Sequence, residues 1–440
     1  MKTLTNKKLG IVSLGCDKNR VDTEKMLGFL KGTGLEVIDD LSEAEIIIIN
    51  TCAFIEKARK ESIETILDAI ELKKDKCEKI IVTGCLSQKY LNDLKKELPE
   101  VDAFIGTYNY SDIAQIIERL YDGELYYSNI PKDNDVIERV LTTPQHYAYL
   151  KIAEGCNNHC TFCSIPSIRG RYASRAKENI LKEAQSLADI GVKELILVAQ
   201  DTGRYGSDLY KDYDITDLMF DLTKINGIEW IRLLYCYPET VTDRLLNLIV
   251  SEPKICNYLD IPLQHIDDTI LKRMNRRITE EGIKELITKI RQAGDISIRS
   301  SFIVGFPQET DAQFEKLLAF LEEFKLDNVG FFTYSREEGT PAAKMSGQIP
   351  AKIKNLRLRQ AAAVQQRVVI ENNKKYINKT LKVLYEGIDF SKKLFYGRTQ
   401  YNAPEVDTLV YFTGDYAEIG NFYDVKITES WTYDLKGVMQ

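Results

Sequence analysis

Short hydrophobic runs alternate with helical patterns in the first part of the chain. The strand-like runs are KLGIVSLG, EIIIIN, KIIVTG and AFIGT, which begin at residues 8, 45, 79 and 103. Segments with helical spacing of apolar positions follow them at 22–33, 55–73, 88–98 and 111–121. Strands rich in valine and isoleucine that alternate with helices are typical of a parallel sheet with both faces covered. We therefore expect an α/β fold that begins with an open parallel sheet domain over residues 1–125.

Residues 123–145 interrupt this pattern. They contain Pro131, Pro144 and mixed charges without periodicity, which is typical of a linker. Six more strand candidates follow, with helical segments between them: YLKIAE, ELILVAQ, WIRLLYCY, YLDIPLQ, ISIRSSFIVGF and NVGFFTYS. Six successive βα units predict a partial (βα)6 barrel whose reactive face lies at the carboxyl ends of its strands. With a polar helical stretch at 350–374, this second domain is expected to span residues 142–374.

The last part of the chain changes to a β pattern. The runs TLKVLYEG, TLVYFTG and FYDVKITES are separated by segments that contain Gly, Asn and Asp. Short strands divided by turn residues predict a small OB-like β-barrel over residues 375–440.

Composition limits the class of protein. A chain of 440 residues with 44% hydrophobic residues can bury a core in each of two or three domains. Its apolar runs fall short of the roughly 18 residues that span a bilayer, and its charged start leads into a strand rather than a signal sequence. We expect a cytoplasmic protein without a membrane partner. The net charge of −7 argues against strong, general binding of nucleic acid.

Nine cysteines, an odd number, are better candidates for metal or cluster ligands than for disulfides in such a chain. Cys156, Cys160 and Cys163 lie within eight residues, on a polar loop after the first predicted barrel strand. Three thiolates can hold three irons of a four-iron cluster and leave the fourth iron open. A zinc site completed by His159 is the alternative, although no second pair of ligands follows in this part of the sequence. Three unliganded core cysteines are the remaining interpretation.

A second set of cysteines is spread along the first domain. Cys16, Cys52 and Cys85 each follow one of the predicted strands directly. Because the carboxyl ends of parallel strands converge on one crevice, these three thiols are expected to meet there. Gly15 and Gly84 would let the backbone approach closely. The sequence therefore predicts a second three-cysteine cluster.

The other cysteines have simpler interpretations. Cys77, in the polar segment KKDKCEK, is expected to be a free surface thiol, and Cys256 a structural residue. Cys236 lies near the end of a barrel strand, where an apolar filler is favoured over a ligand.

The spacing C-x-x-x-C-x-x-C, with Phe162 before the last cysteine, resembles that of radical S-adenosylmethionine (SAM) enzymes. In that superfamily the open iron binds SAM, and the reduced cluster cleaves it to a 5′-deoxyadenosyl radical. With its second cysteine set and terminal barrel, nearly the whole chain resembles the methylthiotransferase family. The motifs that resemble the members acting on a ribosomal protein are SLGCDKNRVDTE, NTCAFI, EGCNNHCTFCSIPSIRGRYASR, QDTGRYG, YLDIPLQH, SSFIVGFPQET and GRTQYNAPEVD.

The resemblance implies a reaction and roles for individual residues. The reaction is insertion of a methylthio group at the β-carbon of an aspartate in the twelfth protein of the small ribosomal subunit, with a second SAM as the methyl source. The radical-generating 4Fe–4S cluster would be held by Cys156, Cys160 and Cys163. An auxiliary 4Fe–4S cluster, which carries the sulfur, would be held by Cys16, Cys52 and Cys85. The segments that approach SAM in the family contain Phe162, Ile303, Gly305 and Glu309.

The expected partners are that ribosomal protein, free or in the ribosome, and an electron donor such as a flavodoxin. Two positions depart from the family pattern, which often has Pro at Asp17 and Gly at Gln308. Gln308 is unfavourable if its turn requires a positive φ. Neither departure removes a predicted ligand.

The terminal domain resembles the TRAM module, which binds RNA in many relatives. Residues 397–440 contain three basic and seven acidic side chains, so we expect weak binding of nucleic acid and an acidic face suited to a basic protein. The residues expected on that face are Glu405, Asp407, Asp415 and Glu418. Two alternatives stay open: a transfer-RNA adenosine methylthiotransferase, whose members usually have Asn in place of Asp201, and a non-catalytic iron–sulfur ribosome-assembly factor.

Overall fold

The computed structural model describes residues 4–128 and 138–440. The centre of the predicted linker, residues 129–137 with Pro131, lies outside the described residues, as do residues 1–3. The helices of the N-terminal domain are α1 (Asp17–Leu30), α2 (Glu56–Glu71), α3 (Cys85–Glu97) and α4 (Ile113–Tyr121). Its strands are β1 (Lys8–Ser13), β2 (Glu36–Ile38), β3 (Ile46–Thr51), β4 (Lys79–Gly84), β5 (Ala103–Ile105) and β6 (Tyr126–Ser128).

These six strands form one parallel sheet in the order β2-β1-β3-β4-β5-β6. Strand β3 is buried along its whole length, because its isoleucines pack against helices on both faces. Ile47 and Ile49 lie in a cluster with side chains of α2 and α3, and Ile46 and Ile48 in a cluster with side chains of α1 and α4. The predicted open parallel sheet is confirmed, with both faces covered.

Two strands of this sheet were not predicted. Strand β2 and strand β6 are three residues long and pair at opposite edges of the sheet. The interpretation of 123–145 as a linker is therefore wrong at Tyr126–Ser128, where the chain pairs with β5. Strands this short carry too few positions for an alternating pattern to stand out.

The central domain continues the numbering along the chain. Its strands are β7 (Tyr147–Lys151), β8 (Ala153–Glu154), β9 (Ala173–Ser174), β10 (Glu194–Val198), β11 (Trp230–Leu233), β12 (Tyr258–Asp260), β13 (Ser297–Val304) and β14 (Asn328–Thr333). Its helices are α5 (Ile165–Arg169), α6 (Lys177–Asp189), α7 (Ile215–Thr223), α8 (Asp243–Ser251), α9 (Asp268–Arg273), α10 (Glu280–Ala293), α11 (Asp311–Phe324) and α12 (Ala351–Asn373). All six predicted barrel strands are present.

The six barrel strands form two parallel half-sheets, β7-β10-β11 and β12-β13-β14. A bridge between Ile231 and Ile255 joins them, and the Cys236 N–H donates to the Asp260 carbonyl at 2.9 Å. No ladder pairs β7 with β14 among the described strands, so the barrel is partial. The helices cover its outer face, where α12 adds Ala361 and Val364 to the apolar cluster.

The terminal domain is a closed five-stranded barrel, as predicted. Its strands are β15 (Thr380–Asp389), β16 (Leu394–Arg398), β17 (Val410–Thr413), β18 (Phe422–Ser430) and β19 (Leu435–Met439). They close in the order β15-β16-β17-β19-β18, and β17 and β19 run parallel. Among the described helices, none is long and apolar enough to cross a membrane.

Helix α1 and the terminal barrel both contact the inner face of the partial barrel. Val21 of α1 and Leu384 and Ala403 of the terminal domain share one apolar cluster with inward side chains such as Tyr149. Buried charges reinforce this contact, since Glu194 of β10 pairs with Arg398 at 2.7 Å. The three domains therefore pack around one interior.

This packing corrects the prediction of a wholly acidic docking face. Glu405 pairs with Arg20 of α1 at 2.6 Å, and the buried Asp407 carboxylate pairs with Arg299 of β13. The Tyr258 hydroxyl donates to Asp407 at 2.6 Å. Glu405 and Asp407 therefore hold the terminal barrel onto the other domains. Of the four predicted residues, Glu405, Asp415 and Glu418 remain exposed, and Asp407 alone has a buried carboxylate.

Candidate active site

The first cysteine set lies on the loop between β8 and α5. Cys156 and Cys160 are buried, and Cys163 is half-buried. Gly155 begins the loop with φ +77°, a conformation in which an added Cβ would overlap the Arg171 carbonyl. The Cys163 N–H donates to the Cys160 carbonyl at 3.0 Å, so the last two thiols lie on one tight turn. The loop therefore gathers its three thiols locally.

Burial dominates the protonation of two of these thiols, Cys156 and Cys163. It raises the pKa of Cys156, and it raises the pKa of Cys163 to about 12, with further contributions from Cys160 and Cys156. At neutral pH Cys156 and Cys163 are protonated in the metal-free protein, so metal binding must release their protons.

Polar groups from other barrel strands face this loop. Asn158 donates from its side chain to Asp201 Oδ2 at 2.8 Å and to Cys156 Sγ at 3.5 Å. Burial raises the pKa of Asp201, which follows β10. The Tyr237 hydroxyl lies 3.6 Å from Cys160 Sγ, and Arg276 stacks on the Tyr237 ring at 4.2 Å. Asp201 and Tyr237 follow β10 and β11, so they bound the loop at the carboxyl ends of strands, where the barrel prediction places reactive groups.

Of the predicted SAM-contact residues, Phe162 lies in the loop itself and Ile303 lies next to it. Phe162 and Ile303 pack against the same apolar cluster, which includes Met274 and Phe306. Ile303 belongs to β13, whereas Phe162 lies between the last two cysteines of the loop. The cysteine loop and strand β13 therefore contact the same apolar cluster.

The other two predicted residues belong to the turn after β13. Gly305 has φ +73°, and its N–H donates to Glu309 Oε2 at 2.6 Å. Arg357 donates to Glu309 Oε1 at 3.0 Å, and burial raises the pKa of this carboxyl. Both oxygens of Glu309 therefore have protein partners, and the carboxylate fixes the turn.

Gln308 lies in the same turn with φ +65°, so the condition under which this residue is unfavourable is met. Its N–H donates to the Gly347 carbonyl at 2.8 Å, and its side-chain amide donates to the Ser346 carbonyl at 3.2 Å. These contacts offset the unfavourable conformation, so the turn forms without glycine at this position.

The second cysteine set lies at the carboxyl edge of the N-terminal sheet. Cys16 precedes α1, Cys52 follows β3, and Cys85 begins α3. The strand order reverses between β1 and β3, which is where open α/β sheets form their binding crevice. Gly15 has φ +92°, and an added Cβ would lie 2.8 Å from Cys52 Cβ. The close approach expected at this glycine is confirmed.

Cys16 is exposed, while Cys52 and Cys85 are buried. Burial raises the pKa of Cys52 to about 12, with contributions from Cys85 and Cys16. Burial also raises the pKa of Cys85, and the Arg169 guanidinium opposes this effect. The structure thus brings together three thiols that lie far apart in sequence, beside one positive charge.

Arg169 connects the two cysteine sets. It is the last residue of α5, six residues after Cys163, and it donates to Cys85 Sγ at 3.5 Å. The same guanidinium donates to Asp22 of α1 at 2.7 Å and to Glu154 at 3.1 Å. The segment that carries the first cysteine set is therefore tied to the second by buried, charge-assisted bonds.

The remaining three cysteines are all buried. For Cys236 and Cys256 the structural interpretation is confirmed, whereas the prediction of a surface thiol at Cys77 is wrong. Cys77 packs in the apolar cluster of the first domain, and burial raises its pKa to about 11. No group of three His, Cys, Asp or Glu side chains is arranged around a single ion position in residues 4–128 and 138–440. In a cluster, by contrast, each thiolate binds an iron of its own.

Family profiles match each part of the chain. The Uncharacterized protein family UPF0004 matches residues 8–106, the Radical SAM superfamily residues 150–321, and the TRAM domain residues 377–439. Curated relatives extend over nearly the whole length. The Ribosomal protein uS12 methylthiotransferase RimO of a Thermoanaerobacter species is 47% identical over 98% of this chain and 99% of its own. The protein of that name from Caldanaerobacter subterraneus is 49% identical over the same shares.

The chain belongs to the RimO family. Solved structures with much lower sequence identity have a fold similar to that of this RimO-family chain. The radical SAM methyltransferase TsrM from Kitasatospora setae, with cobalamin and a 4Fe-4S cluster bound, has a TM-score of 0.57 at 13% identity, over 77% of this chain and 74% of TsrM. The cobalamin-dependent radical enzyme OxsB, with SAM bound, has a TM-score of 0.55 at 15% identity, over 83% of this chain and 57% of OxsB.

Several site residues of this RimO-family chain were missed from sequence. Arg169 and Asn158 lie within the quoted cysteine motif, yet that motif gives no sign of their partners. Arg276 lies outside every quoted motif and donates to Cys160 Sγ at 3.9 Å. A buried arginine close to a cysteine is a tertiary property, because Arg169 and Cys85 are far apart in sequence.

Proposed function

We propose that this chain is a radical SAM methylthiotransferase that modifies the β-carbon of an aspartate in ribosomal protein uS12. The observation that carries the proposal is the pair of three-cysteine sets, gathered at the carboxyl ends of two parallel sheets and tied together through Arg169. Full-length similarity to proteins named RimO supports the substrate. The transfer-RNA alternative is not favoured, because these relatives are named for a ribosomal protein.

The donor sets fit two 4Fe–4S clusters. Each set offers three thiols, which leaves one iron of each cluster free for another ligand. One cluster would be held by Cys156, Cys160 and Cys163, and the other by Cys16, Cys52 and Cys85. When bound, the first cluster with SAM supplies the radical that an unactivated C–H bond requires, and the second cluster supplies sulfur.

The protein's own residues position these groups and limit access of water. Phe162 and Ile303 present an apolar surface beside the radical loop. Glu309 holds the turn at Gly305 and Phe306 by accepting both N–H groups, at 2.6 and 3.0 Å. Through that turn it would shape the SAM site without contributing a free carboxylate oxygen.

The partners follow from the same proposal. The protein uS12, free or in the ribosome, is the substrate, and a one-electron donor such as a flavodoxin reduces the first cluster. The exposed Asp415 and Glu418 of the terminal barrel suit contact with a basic protein.

The test is anaerobic reconstitution followed by reaction with uS12, SAM and a reductant. We expect about eight irons per chain, 5′-deoxyadenosine, and a uS12 peptide heavier by one methylthio group in place of hydrogen. The Cys156, Cys160 and Cys163 triple change to Ala should leave half the iron and abolish 5′-deoxyadenosine. The Cys16, Cys52 and Cys85 triple change should retain SAM cleavage and lose the methylthio product.

Two results would contradict the proposal. Zinc in place of iron in the folded wild-type protein would exclude the cluster chemistry. Methylthio groups on transfer RNA, with uS12 unmodified in the same reaction, would assign the protein to the other substrate class.

A further inference from the structure

Each cysteine set has one buried arginine directed at one of its sulfurs. Arg276 donates to Cys160 Sγ at 3.9 Å and to the Pro262 carbonyl at 2.7 Å. Arg169 donates to Cys85 Sγ at 3.5 Å. The two arginines differ in origin, since Arg276 shares a domain with its cysteine whereas Arg169 crosses from the central domain to the N-terminal one.

The position of Arg169 is determined by several contacts. Its carbonyl accepts a hydrogen bond from the Tyr108 hydroxyl, which belongs to the N-terminal domain. Its guanidinium is fully buried and also donates to the Asn19 side chain. Asp22 and Glu154 balance its charge, and Lys151 lies against the same two carboxylates. A side chain held on all sides keeps its N–H directed at the sulfur.

A hydrogen bond and a buried positive charge at a cluster thiolate favour the reduced cluster, because reduction adds negative charge there. Hydrogen bonds to the sulfurs, net charge and solvent exposure are what set the potentials of iron–sulfur clusters. Groups just outside the ligands also fix ligand orientation.

Resting on the proposed function, we propose that Arg169 positions Cys85 and raises the reduction potential of the N-terminal cluster, while Arg276 acts in the same way on the barrel cluster only. The redox state of the N-terminal cluster then depends on the docking of the central domain, because its tuning group enters from that domain.

A crossed experiment tests this inference. In protein that retains only the N-terminal cluster, with Cys156, Cys160 and Cys163 changed to Ala, the midpoint potential is measured by redox titration followed by electron paramagnetic resonance. Arg169→Gln should lower it by about 60 mV or more, a tenfold lower ratio of reduced to oxidised cluster at fixed potential. Arg276→Gln should leave it unchanged. In protein that retains only the barrel cluster, Arg276→Gln should lower the midpoint potential and Arg169→Gln should leave it unchanged.

Two further variants separate tuning from loss of structure. Asp22→Asn disturbs the same ion pairs but keeps the donor to Cys85, so it should reduce thermal stability without lowering the potential. Arg169→Lys keeps a charge for Asp22 and Glu154, yet its single ammonium group cannot replace the planar fork that also reaches Cys85. It should fold, with a lowered potential, even if the Gln variant does not.

Equal potentials in wild type, Arg169→Gln and Arg169→Lys would overturn the inference, as would equal lowering by Asp22→Asn. If the protein with only Cys16, Cys52 and Cys85 binds no iron although it is folded, the proposed function itself fails. Iron content therefore distinguishes failure of the function from failure of the tuning role.

Discussion

Glu309 holds the backbone of Gly305, because its Oε2 atom accepts the Gly305 N–H at 2.6 Å. The carboxylate is buried and is paired on its other oxygen with Arg357 at 3.0 Å. A glutamate four residues beyond a glycine therefore closes the turn after β13, next to Ile303. Any side chain added at Gly305 would act directly on this turn.

Gly305→Ala is expected to destabilise the central domain and to weaken SAM binding at least tenfold. A positive φ costs an L-residue roughly 1–2 kcal/mol, and overpacking against the Lys354 side chain adds about 1–3 kcal/mol. Gly339→Ala is the matched control, because Gly339 has φ +80° with nothing within 4 Å of an added Cβ. Thermal unfolding would measure the stability of each variant, and equilibrium dialysis would measure its affinity for SAM. Equal effects of the two changes would exclude the steric contribution at Gly305.

Asp260 is expected to make stability depend on pH. Burial raises its pKa from 3.8 to about 6, so between these values the folded protein holds a proton that the unfolded chain releases. The free energy of unfolding therefore falls by about 2 kcal/mol as pH rises from 4 to 6. Asp260→Asn removes this slope while keeping an acceptor for the Tyr235 N–H.

The measurement is urea unfolding of wild type and variant across pH 4 to 7. His265, whose pKa burial lowers to about 4, gives a slope of opposite sign in the same window. Because His265 is present in both proteins, the difference between their curves isolates Asp260. A difference that does not change with pH would contradict the assignment.

Asp407→Asn is expected to destabilise the docking of the terminal barrel by about 3–5 kcal/mol. It removes the charge opposite Arg299, and an unpaired buried charge is costly. Asp415→Asn, at an exposed position, should change stability by less than about 0.5 kcal/mol. Limited proteolysis around residue 375 and thermal unfolding would detect release of the barrel. Indistinguishable variants would mean that Asp407 does not hold this interface.

Binding of uS12 is expected to depend on Asp415 and Glu418. Their replacement by Asn and Gln should lower the association rate and flatten its salt dependence, most clearly in dilute buffer, because the Debye length is about 10 Å at 0.1 M salt. SAM cleavage without uS12 should be unchanged. Stopped-flow binding at several salt concentrations would test this, and rates equal to wild type at low salt would contradict it.

Cysteine accessibility gives a further test. In the metal-free protein, iodoacetamide should label the exposed Cys16 first and Cys77 slowly, because Cys77 is buried with its pKa raised to about 11. Reconstitution should protect Cys16 and leave the slow rate at Cys77 unchanged. Peptide mass spectrometry would follow both sites. Fast labelling of Cys77 in the folded protein would restore its interpretation as a surface thiol.

The sequence pattern predicted the location of a residue correctly where that location depends only on the strand or helix that carries the residue. Strand ends predicted the meeting of Cys16, Cys52 and Cys85, and β-branched runs predicted all six barrel strands. The pattern did not predict contacts between residues of different domains. Acidic residues such as Glu405 and Asp407 are typical of a solvated surface, and only the packed structure shows that Arg20 and Arg299 are their partners.

The two cysteine sets also differ in what the chain must do before iron can bind. The first set occupies eight consecutive residues, whereas the second spans residues 16 to 85. Closing the longer span in an unfolded chain costs about 2 kcal/mol more in entropy. A newly made polypeptide can therefore offer the first set as a local ligand, but it can offer the second only after β1, β3 and β4 have paired. Iron can therefore bind at the N-terminal site only after its domain has folded. A chain with a destabilised N-terminal sheet would bind iron only at Cys156, Cys160 and Cys163.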